Sequence, residues 1–514
     1  MKRILSLAAA LAFGIAGRAS AQDSTHVVLD GRFDEWEGVA PVLQDPADGR
    51  APYPDILAVQ ARADVDAGFL NLTLREPVVL QSLPAPMLLL VDFGGPMGGE
   101  VHGMRGVDAV LEFSGGRPGA GVWLRRIDGE GRVDTLVSAN ETEMMIAPSH
   151  VSRRFEIRLR RGGPLNIGGQ IRFRFVVLDS AGGVADETEA FTADFSSIVM
   201  PPLEPGGGFT DPLARAPGTD LRVVSWNVGR ETMFRQPDAF GAILRALDPD
   251  LLLLDEVAGG HSAPEVQALL DRILPGDEPW HVVYGTSGGS QRGVIAARGT
   301  APEMARSFMA RLPYPDSARD VIGDDTAAAA QGWLRSRLEV NVPATGALVT
   351  LGGRRLLGVT LDLESGGALG SPKDRLRRIE ALRIRDAVAQ AIAAGGVDGV
   401  LVAGDFNLVA SPDPLQLLAT GLDVDGSDLH VPTPLRLDGA SALTWENPEE
   451  PFTPSRLDFV LVGDAALAVT GGFIFRAGDL TPRWLETHGL TADASRVTDH
   501  LPVVTDLRWT VPVR

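Results

Sequence analysis

The chain has 514 residues, a net charge of −20 at pH 7 and no cysteine. This length is too great for one ordinary hydrophobic core, so we expect two domains. The lack of cysteine excludes a disulfide scaffold and a lipoprotein anchor through cysteine, and the strong negative charge disfavours a general binder of polyanions such as nucleic acid.

Residues 1–21 have the pattern of a secretion signal. Lys2 and Arg3 precede an apolar stretch that is too short to span a bilayer as a stable anchor. Ala19-Ser20-Ala21 is an A-x-A cleavage site, so the mature chain is expected to begin at Gln22, with an uncleaved anchor as the alternative. Cleavage removes three positive charges and takes the net charge from −20 to −23. We therefore expect a secreted or periplasmic protein with no membrane span.

Residues 24–199 alternate apolar and polar positions between turn signals, as at 56–63 and 171–177. This spacing predicts the short strands of an antiparallel β-sandwich. The opening segment 29–38 (LDGRFDEWEG) resembles the start of family 9 carbohydrate-binding modules. The resemblance implies a jelly-roll-like accessory domain with a glycan or another surface ligand as candidate partner, although sugar binding does not follow from it. Trp36 fits a core position better than a stacking platform.

Residues 200–220 are rich in proline and glycine and show no periodicity, which predicts a linker. The chemically informative motifs all lie after it, in a second domain at 221–514. Because few contacts normally cross such a boundary, we expect this second domain to fold and act without the first.

Five apolar stretches of the second domain begin or end at polar side chains. Continuous apolar runs of this length indicate strands that are buried on both faces, and polar groups at their ends can converge in one pocket. After the stretch 399–403, Asp405 and Asn407 point the same way, and they could activate water, bind a metal or donate to a phosphate oxygen. The other positions are Asn227 after 221–224, Asp255 and Glu256 after 251–254, Asp458 before 459–462, and Asp499 and His500 before 501–504.

Each of these residues also has a purely structural interpretation. Asn227 could cap a turn, Glu256 could be a solvated strand end, and Asp458 could pair with an arginine. His500, beside Leu501, could be a core histidine with a satisfied ring.

In this order, however, the motifs resemble the endonuclease/exonuclease/phosphatase superfamily, which includes nucleases, neutral sphingomyelinases and inositol polyphosphate phosphatases. The resemblance covers about residues 220 to 510 and implies a four-layer α/β sandwich with the site at one end of two packed sheets. The matching segments are 222–227 (RVVSWN), 249–256 (PDLLLLDE), 404–407 (GDFN), 456–458 (RLD) and 498–500 (TDH).

The resemblance implies that Asp405 orients or deprotonates the attacking water. It implies that Asn407 holds that nucleophile and a phosphate oxygen. His500 would contact the phosphoryl group, and Asp458 would fix the imidazole ring and keep it charged. Such groups compensate the charge that develops on phosphate oxygens during hydrolysis.

The resemblance also implies Glu256 as the principal ligand of Mg²⁺ (or Mn²⁺ or Ca²⁺), with Asn227 and Asp499 nearby. Two positions depart from the common family pattern. Asp362 stands where many members carry a histidine, and it is either a further metal ligand or a turn cap. Asp255 stands where glutamine is frequent, and it either supports a second metal or faces away, because neighbours on a strand alternate.

Residues 371–394 are the clearest predicted helix, with Ser371 as N-cap and Pro372 at the first position. An apolar stripe recurs near helical spacing. The remaining positions hold several arginines, which favour a solvated face over a phosphate clamp: Arg375, Arg377, Arg378, Arg383 and Arg385.

The sequence thus predicts a secreted, metal-dependent phosphoesterase that hydrolyses phosphodiester bonds of small or lipid substrates. Long nucleic acid is disfavoured by the net charge and by the presence of only three tyrosines for base stacking. The alternatives are an extracellular nuclease and a catalytically degenerate secreted binding protein, and Asp362 slightly favours the latter.

Overall fold

The computed structural model describes most of the chain after residue 25. The predicted signal peptide and residues 200–209 of the predicted linker lie outside the described residues. The described ranges are 26–95, 98–114, 121–165, 167–196, 210–304, 309, 311–322 and 328–510.

The N-terminal region, residues 26–196, consists mainly of antiparallel β-strands. One sheet has the order β1-β2-β3-β11-β10, a second has the order β13-β12-β4-β7-β8-β9 with β14 paired to β12, and β5 pairs with β6. The strands are β1 (Leu43–Gln44), β2 (Ile56–Ala63), β3 (Ala67–Val78), β4 (Met87–Asp92), β5 (Gly99–Val101), β6 (Met104–Val107), β7 (Ala109–Ser114), β8 (Gly121–Ile127), β9 (Val133–Ser138), β10 (Met145–Ala147), β11 (Ser152–Arg160), β12 (Gln170–Leu178), β13 (Val184–Glu187) and β14 (Phe191–Asp194).

The two larger sheets share one hydrophobic core. Leu70 and Leu72 of β3 belong to the same buried cluster as Leu89 of β4 and Phe173 of β12. This packing follows from the alternation of apolar and polar residues, which turns one face of each sheet inward. It is consistent with the predicted β-sandwich. Trp36 is a core residue, as predicted, with 1% of its surface exposed.

The C-terminal region, residues 221–510, contains two mixed sheets and seven α-helices within its described part. The sheet orders are β17-β18-β16-β15-β25-β24 and β19-β20-β21-β22-β23. The strands are β15 (Leu221–Arg230), β16 (Leu251–Ala258), β17 (Trp280–Tyr284), β18 (Gln291–Arg298), β19 (Glu303–Met304), β20 (Ala344–Leu351), β21 (Arg354–Asp362), β22 (Gly399–Asp405), β23 (Asp458–Val462), β24 (Leu467–Ile474) and β25 (Val503–Trp509). The helices are α1 (Thr232–Arg235), α2 (Pro237–Leu247), α3 (Ala263–Ile273), α4 (Ala328–Glu339), α5 (Pro372–Ala393), α6 (Asp413–Ala419) and α7 (Pro482–His488).

Three buried clusters separate four layers in this region. One cluster lies between the first sheet and helices α2 and α3, and another lies between the second sheet and helices α5 and α6. The third fills the space between the two sheets, with Leu253 of β16 and Leu401 of β22 among its members. The C-terminal region is therefore an α/β sandwich, as the sequence predicts.

Helix α5 begins at the predicted N-cap, because the Ser371 hydroxyl accepts a hydrogen bond from the Asp374 N–H. The prediction of a solvated arginine face is wrong for one residue. Arg377 is fully buried, and its Nε donates to the carbonyl of Glu364 at 2.8 Å. Arg377 therefore links helix α5 to the loop that follows β21.

Backbone hydrogen bonds join the two regions. The N–H of Leu29 donates to the carbonyl of Ala440, and the N–H of Ala442 donates to the carbonyl of Leu29, at 3.0 and 2.9 Å. The N–H of Val122 donates to the carbonyl of Pro451 at 2.8 Å. The expectation of few contacts between the two regions is therefore wrong.

The described end of the predicted linker packs against the C-terminal region. Leu213 is 2% exposed, and Arg215 forms an ion pair with Asp250 at 2.5 Å. The N–H of Ala216 donates to Asp506 at 2.9 Å. None of the helices in the described ranges combines the length and the hydropathy of a membrane-spanning segment.

Candidate active site

The predicted site residues of four strands share the inner faces of the two sheets. On β15, β16, β22 and β23, every second residue packs into the layer between the sheets, for example Val223, Leu253, Ala403 and Val460. Because side chains alternate along a strand, the same faces continue to the predicted polar residues. These are Asn227, Asp255, Asp405 and Asp458.

His500 lies between two of these carboxylates. Its Nδ1 is 2.8 Å from Oδ2 of Asp458, and its Nε2 is 3.7 Å from Oδ2 of Asp405. The side chain of His500 is 8% exposed, and those of Asp458 and Asp405 are 2% and 4% exposed. Thr444 Oγ1 accepts a hydrogen bond from the N–H of Asp458 at 3.0 Å. The predicted pairing of His500 with Asp458 is therefore present in the structure.

Two opposing effects set the charge of His500. Burial lowers its pKa, but the carboxylates of Asp458 and Asp405 outweigh burial, so the pKa lies well above its usual value. The pKa of Asp405 is raised to about 8, because burial raises it more than the nearby His500 lowers it, and the negative charge of Asp458 adds to the rise. The two carboxylates therefore favour the charged imidazolium form of His500, whereas burial favours the neutral carboxyl form of Asp405.

Asn407 holds the Asp405 carboxylate from two sides. Its backbone N–H donates to Oδ1 and its Nδ2 donates to Oδ2, both at 2.8 Å, and Nδ2 also donates to the carbonyl of Leu363 at 2.9 Å. These bonds require a left-handed backbone at Asn407, with φ of 49°. Such a conformation is unfavourable for most residues but is tolerated by asparagine. Asn407 fixes the direction in which Asp405 faces.

A β-bulge separates the directions of Asp255 and Glu256. The register of β16 shifts against both neighbouring strands at this point, and Glu256 has a φ of 52°. Asp255 continues the inner face and is 1% exposed, whereas Glu256 lines a pocket and has 23% of its side chain exposed. Arg230 Nε is 3.9 Å from Glu256 Oε2.

Asp255 and Asp362 lie behind the pocket lining. Burial raises the pKa of Asp255 well above its usual value, and Asp458, Asp362 and Asp405 raise it further. Burial, Glu256 and Asp405 do the same for Asp362. Neither carboxyl oxygen of Asp255 has a hydrogen-bond partner within the described part of the chain. Asp255 thus faces the other carboxyl groups rather than away from them.

The donor atoms around Glu256 are suited to a hard cation. Asn227 is 2% exposed and its Oδ1 accepts from the N–H of Gly229 at 3.1 Å, while Asp499 Oδ2 accepts from Trp445 Nε1 at 3.1 Å. In the described ranges, three carboxylates come within 4.8 Å of one another only in the N-terminal region, at Asp45, Asp48 and Asp186. A cation at Glu256 would therefore have few protein ligands, as Mg²⁺ often does, with water and phosphate completing its shell.

A pocket of about 980 Å³ opens above these groups. Glu256, Asp405, Asn407, Asp499 and His500 line it together, so the structure brings these five predicted residues to one cavity. Asp458 lies behind His500, and Asn227, Asp255 and Asp362 are buried nearby, outside the pocket lining.

The sequence analysis missed Trp445, which lines the pocket and pairs by backbone bridges with Ser455 and His500. Trp445 lies in an irregular loop, where no hydrophobic periodicity distinguishes a site residue from any other. A tryptophan among turn-forming residues was the only available signal.

Comparison with protein families gives a match to the Endonuclease/Exonuclease/phosphatase family over residues 224–500. The chain belongs to this family. Its members hydrolyse phosphoester bonds and generally depend on a divalent metal. A comparison with curated proteins gives no significant match.

Solved structures of other endonuclease/exonuclease/phosphatase proteins are similar at low identity. The human nocturnin catalytic domain is 16% identical with a TM-score of 0.38, covering 58% of this chain and 97% of that chain. ANGEL2, described as a 2',3'-cyclic phosphatase, is 13% identical with a TM-score of 0.38 over 57% and 96% of the two chains. Truncated Caenorhabditis elegans TDP2 is 14% identical with a TM-score of 0.35 over 56% and 97%. These values are too low to transfer a substrate.

Proposed function

We propose that this chain is an exported, metal-dependent phosphodiesterase that acts on small or lipid phosphoesters. The observation that carries the proposal is the arrangement of His500 between Asp458 and Asp405, in the same pocket as Glu256. This arrangement places a cationic donor, an oriented carboxylate and a metal-ligand candidate around one space.

Each residue has a role that its contacts support. Asp405, fixed by Asn407, orients the attacking water and accepts its proton. His500 donates a hydrogen bond from Nε2 to a phosphoryl oxygen, and Asp458 keeps the ring charged and correctly turned. Glu256, with Asn227 and Asp499 nearby, would hold the divalent cation. When bound, Mg²⁺, Mn²⁺ or Ca²⁺ supplies positive charge to the phosphate oxygens.

The preference for small or lipid substrates is supported by charge. The chain has a net charge of −20, which repels a polyanion. Binding of long nucleic acid requires several phosphate contacts by basic residues. The pocket lining contains carboxylates but no lysine or arginine among its described residues. A nuclease remains the alternative activity, and a degenerate binding protein is opposed by the intact His500–Asp458 pair.

The test is hydrolysis of bis(p-nitrophenyl) phosphate with Mg²⁺, Mn²⁺ or Ca²⁺ in turn. We expect turnover that a chelator abolishes and that falls on the order of a hundredfold or more in His500→Ala. Plasmid DNA and RNA are assayed in parallel, and efficient digestion of either would favour the nuclease. Equal rates in the wild type and His500→Ala would refute the assignment.

Export is proposed from residues 1–21 alone, whose basic start, apolar stretch and A-x-A site are typical of a secretion signal. Fractionation of expressing cells checks it. A full-length product in the cytosolic fraction, with no shortened form outside it, would contradict export.

A further inference from the structure

One wall of the catalytic pocket comes from the N-terminal region. Loops at 52–54 and 78–84 reach the pocket whose floor holds Asp405 and His500. The apolar residues of this wall are Pro52, Pro54, Val78, Val79, Leu83 and Pro84.

Hydrogen bonds fix this wall to the floor. Gln81 Oε1 accepts from the N–H of Thr453 at 2.7 Å, and Ser149 Oγ donates to the carbonyl of Leu408 at 3.1 Å. Asn140 Nδ2 lies within hydrogen-bonding distance of three carbonyls in the segment 447–452, which borders the same pocket. The wall and the floor are therefore hydrogen-bonded parts of one cavity.

These bonds also occupy polar side chains on the N-terminal side of the pocket. Gln81 and Ser149 line the cavity, but both are engaged in holding loops of the C-terminal region. Apart from Ser82, the other lining residues on that side are proline, valine and leucine. Such a surface offers few hydrogen bonds to the edge of a nucleobase, whereas it favours burial of an alkyl chain.

Leu369 adds an exposed apolar side chain to the same pocket. It is 51% exposed, more than any other large hydrophobic residue in the described part of the chain. A single exposed leucine on a protein surface is common. A leucine that lines a cavity with an apolar wall, however, extends the apolar surface that a ligand can contact. The cavity, at about 980 Å³, is at the upper end of the range for small-molecule sites and far exceeds the needs of a bare phosphate.

We propose that the N-terminal region supplies an apolar subsite of the catalytic pocket, and that the preferred phosphoester carries an alkyl substituent next to its phosphate. The inference rests on the proposed phosphodiesterase function and specifies its substrate class. The Val78 side of the pocket and Leu369 contact the alkyl chain, while the floor residues contact the phosphate.

The test uses p-nitrophenyl alkyl phosphates with methyl, butyl and hexyl chains. Phosphorus NMR follows hydrolysis, so that cleavage on either side of the phosphorus is counted. We expect kcat/KM to rise roughly two- to fourfold per methylene added. Val78→Asn and Leu369→Asn should each lower the hexyl-to-methyl ratio about fivefold.

Matched controls make the same substitution at exposed apolar positions outside the pocket. Val133→Asn is the control for Val78→Asn, and Leu382→Asn is the control for Leu369→Asn; Val133 and Leu382 are 47% and 39% exposed. Neither control should change the hexyl-to-methyl ratio. A ratio that is flat across chain length, or lowered equally by the controls, would overturn the proposal even if the diesters are hydrolysed.

Calorimetry of methyl- and hexylphosphonate binding tests the subsite without turnover. We expect hexylphosphonate to bind on the order of thirtyfold more tightly, and Val78→Asn to reduce this difference. If no diester is hydrolysed but the preference for hexylphosphonate persists, the phosphodiesterase function fails and the subsite stands. Equal binding of both phosphonates refutes the subsite.

Discussion

Replacement of Asp458 by Asn tests the charge on His500. In the wild-type chain, Nδ1 of His500 is 2.8 Å from Oδ2 of Asp458. The substitution keeps the size of the side chain and an oxygen acceptor for Nδ1, but it removes the negative charge. At an effective dielectric constant of about 20, two unit charges about 4 Å apart interact by about 4 kcal/mol. Because the removed charge is the anion that favours the imidazolium, the pKa of His500 should fall.

The assay is the pH dependence of kcat for bis(p-nitrophenyl) phosphate at saturating metal. We expect the rate of Asp458→Asn near neutral pH to fall on the order of a hundredfold, with the alkaline limb of the profile shifted to lower pH. Asp423→Asn is the matched control, since Asp423 is also buried, at 2% exposure, but bonds to backbone N–H groups away from the pocket. Retention of more than about a tenth of the rate with an unmoved alkaline limb would refute the reasoning.

Three further predictions follow from other contacts. Glu256→Gln should raise the half-saturating Mg²⁺ concentration about tenfold or more, and an unchanged metal titration would remove Glu256 from the metal shell. Asn140→Ala should lower the free energy of unfolding by about 1–3 kcal/mol, and it should raise KM more than it lowers kcat, because it removes the hydrogen bonds that hold the segment 447–452. Urea titration measures the first effect and steady-state kinetics the second. An unchanged KM would contradict this prediction. Burial raises the pKa of Glu156 to about 9, so between about pH 5 and 9 the folded state keeps a proton that the unfolded state loses. The free energy of unfolding should therefore decline by up to about 1.4 kcal/mol per pH unit over this range. Thermal unfolding of Glu156→Gln should show a shallower decline, and an equal slope would exclude Glu156 as its source.

Strand positions in the C-terminal region could be predicted because they depend on local patterns. The run at 251–254 is apolar on both faces since it lies between a helix layer and a second sheet. The buried role of Arg377 could not be predicted in this way. A charged residue on a helix is usually solvated, and only the path of the loop at Glu364 places a backbone carbonyl within its reach.

The sequence predicted which residues form the site, but strand alternation did not predict the directions in which Asp255 and Glu256 point. Strand ends predicted that Asp405, Asp458 and His500 would converge, and alternation alone predicts that Asp255 and Glu256 diverge. Which of the two would face the pocket depends on the bulge in β16 and on the positive φ of Glu256. No residue type at this position signals a bulge, since glutamate is not typical of left-handed backbone.

The pocket wall was beyond prediction because its parts are far apart in the chain. Residues 78–84 line the pocket together with Leu369 and Asp499, which lie much later in the chain. This separation has a consequence for specificity. The floor residues Asp405 and Asp458 lie at strand ends of the C-terminal region, whereas the apolar wall belongs to a different region of the chain. Under the proposed function, the motifs at the strand ends determine the reaction, and the wall contributed by the N-terminal region determines which substituent the phosphoester carries.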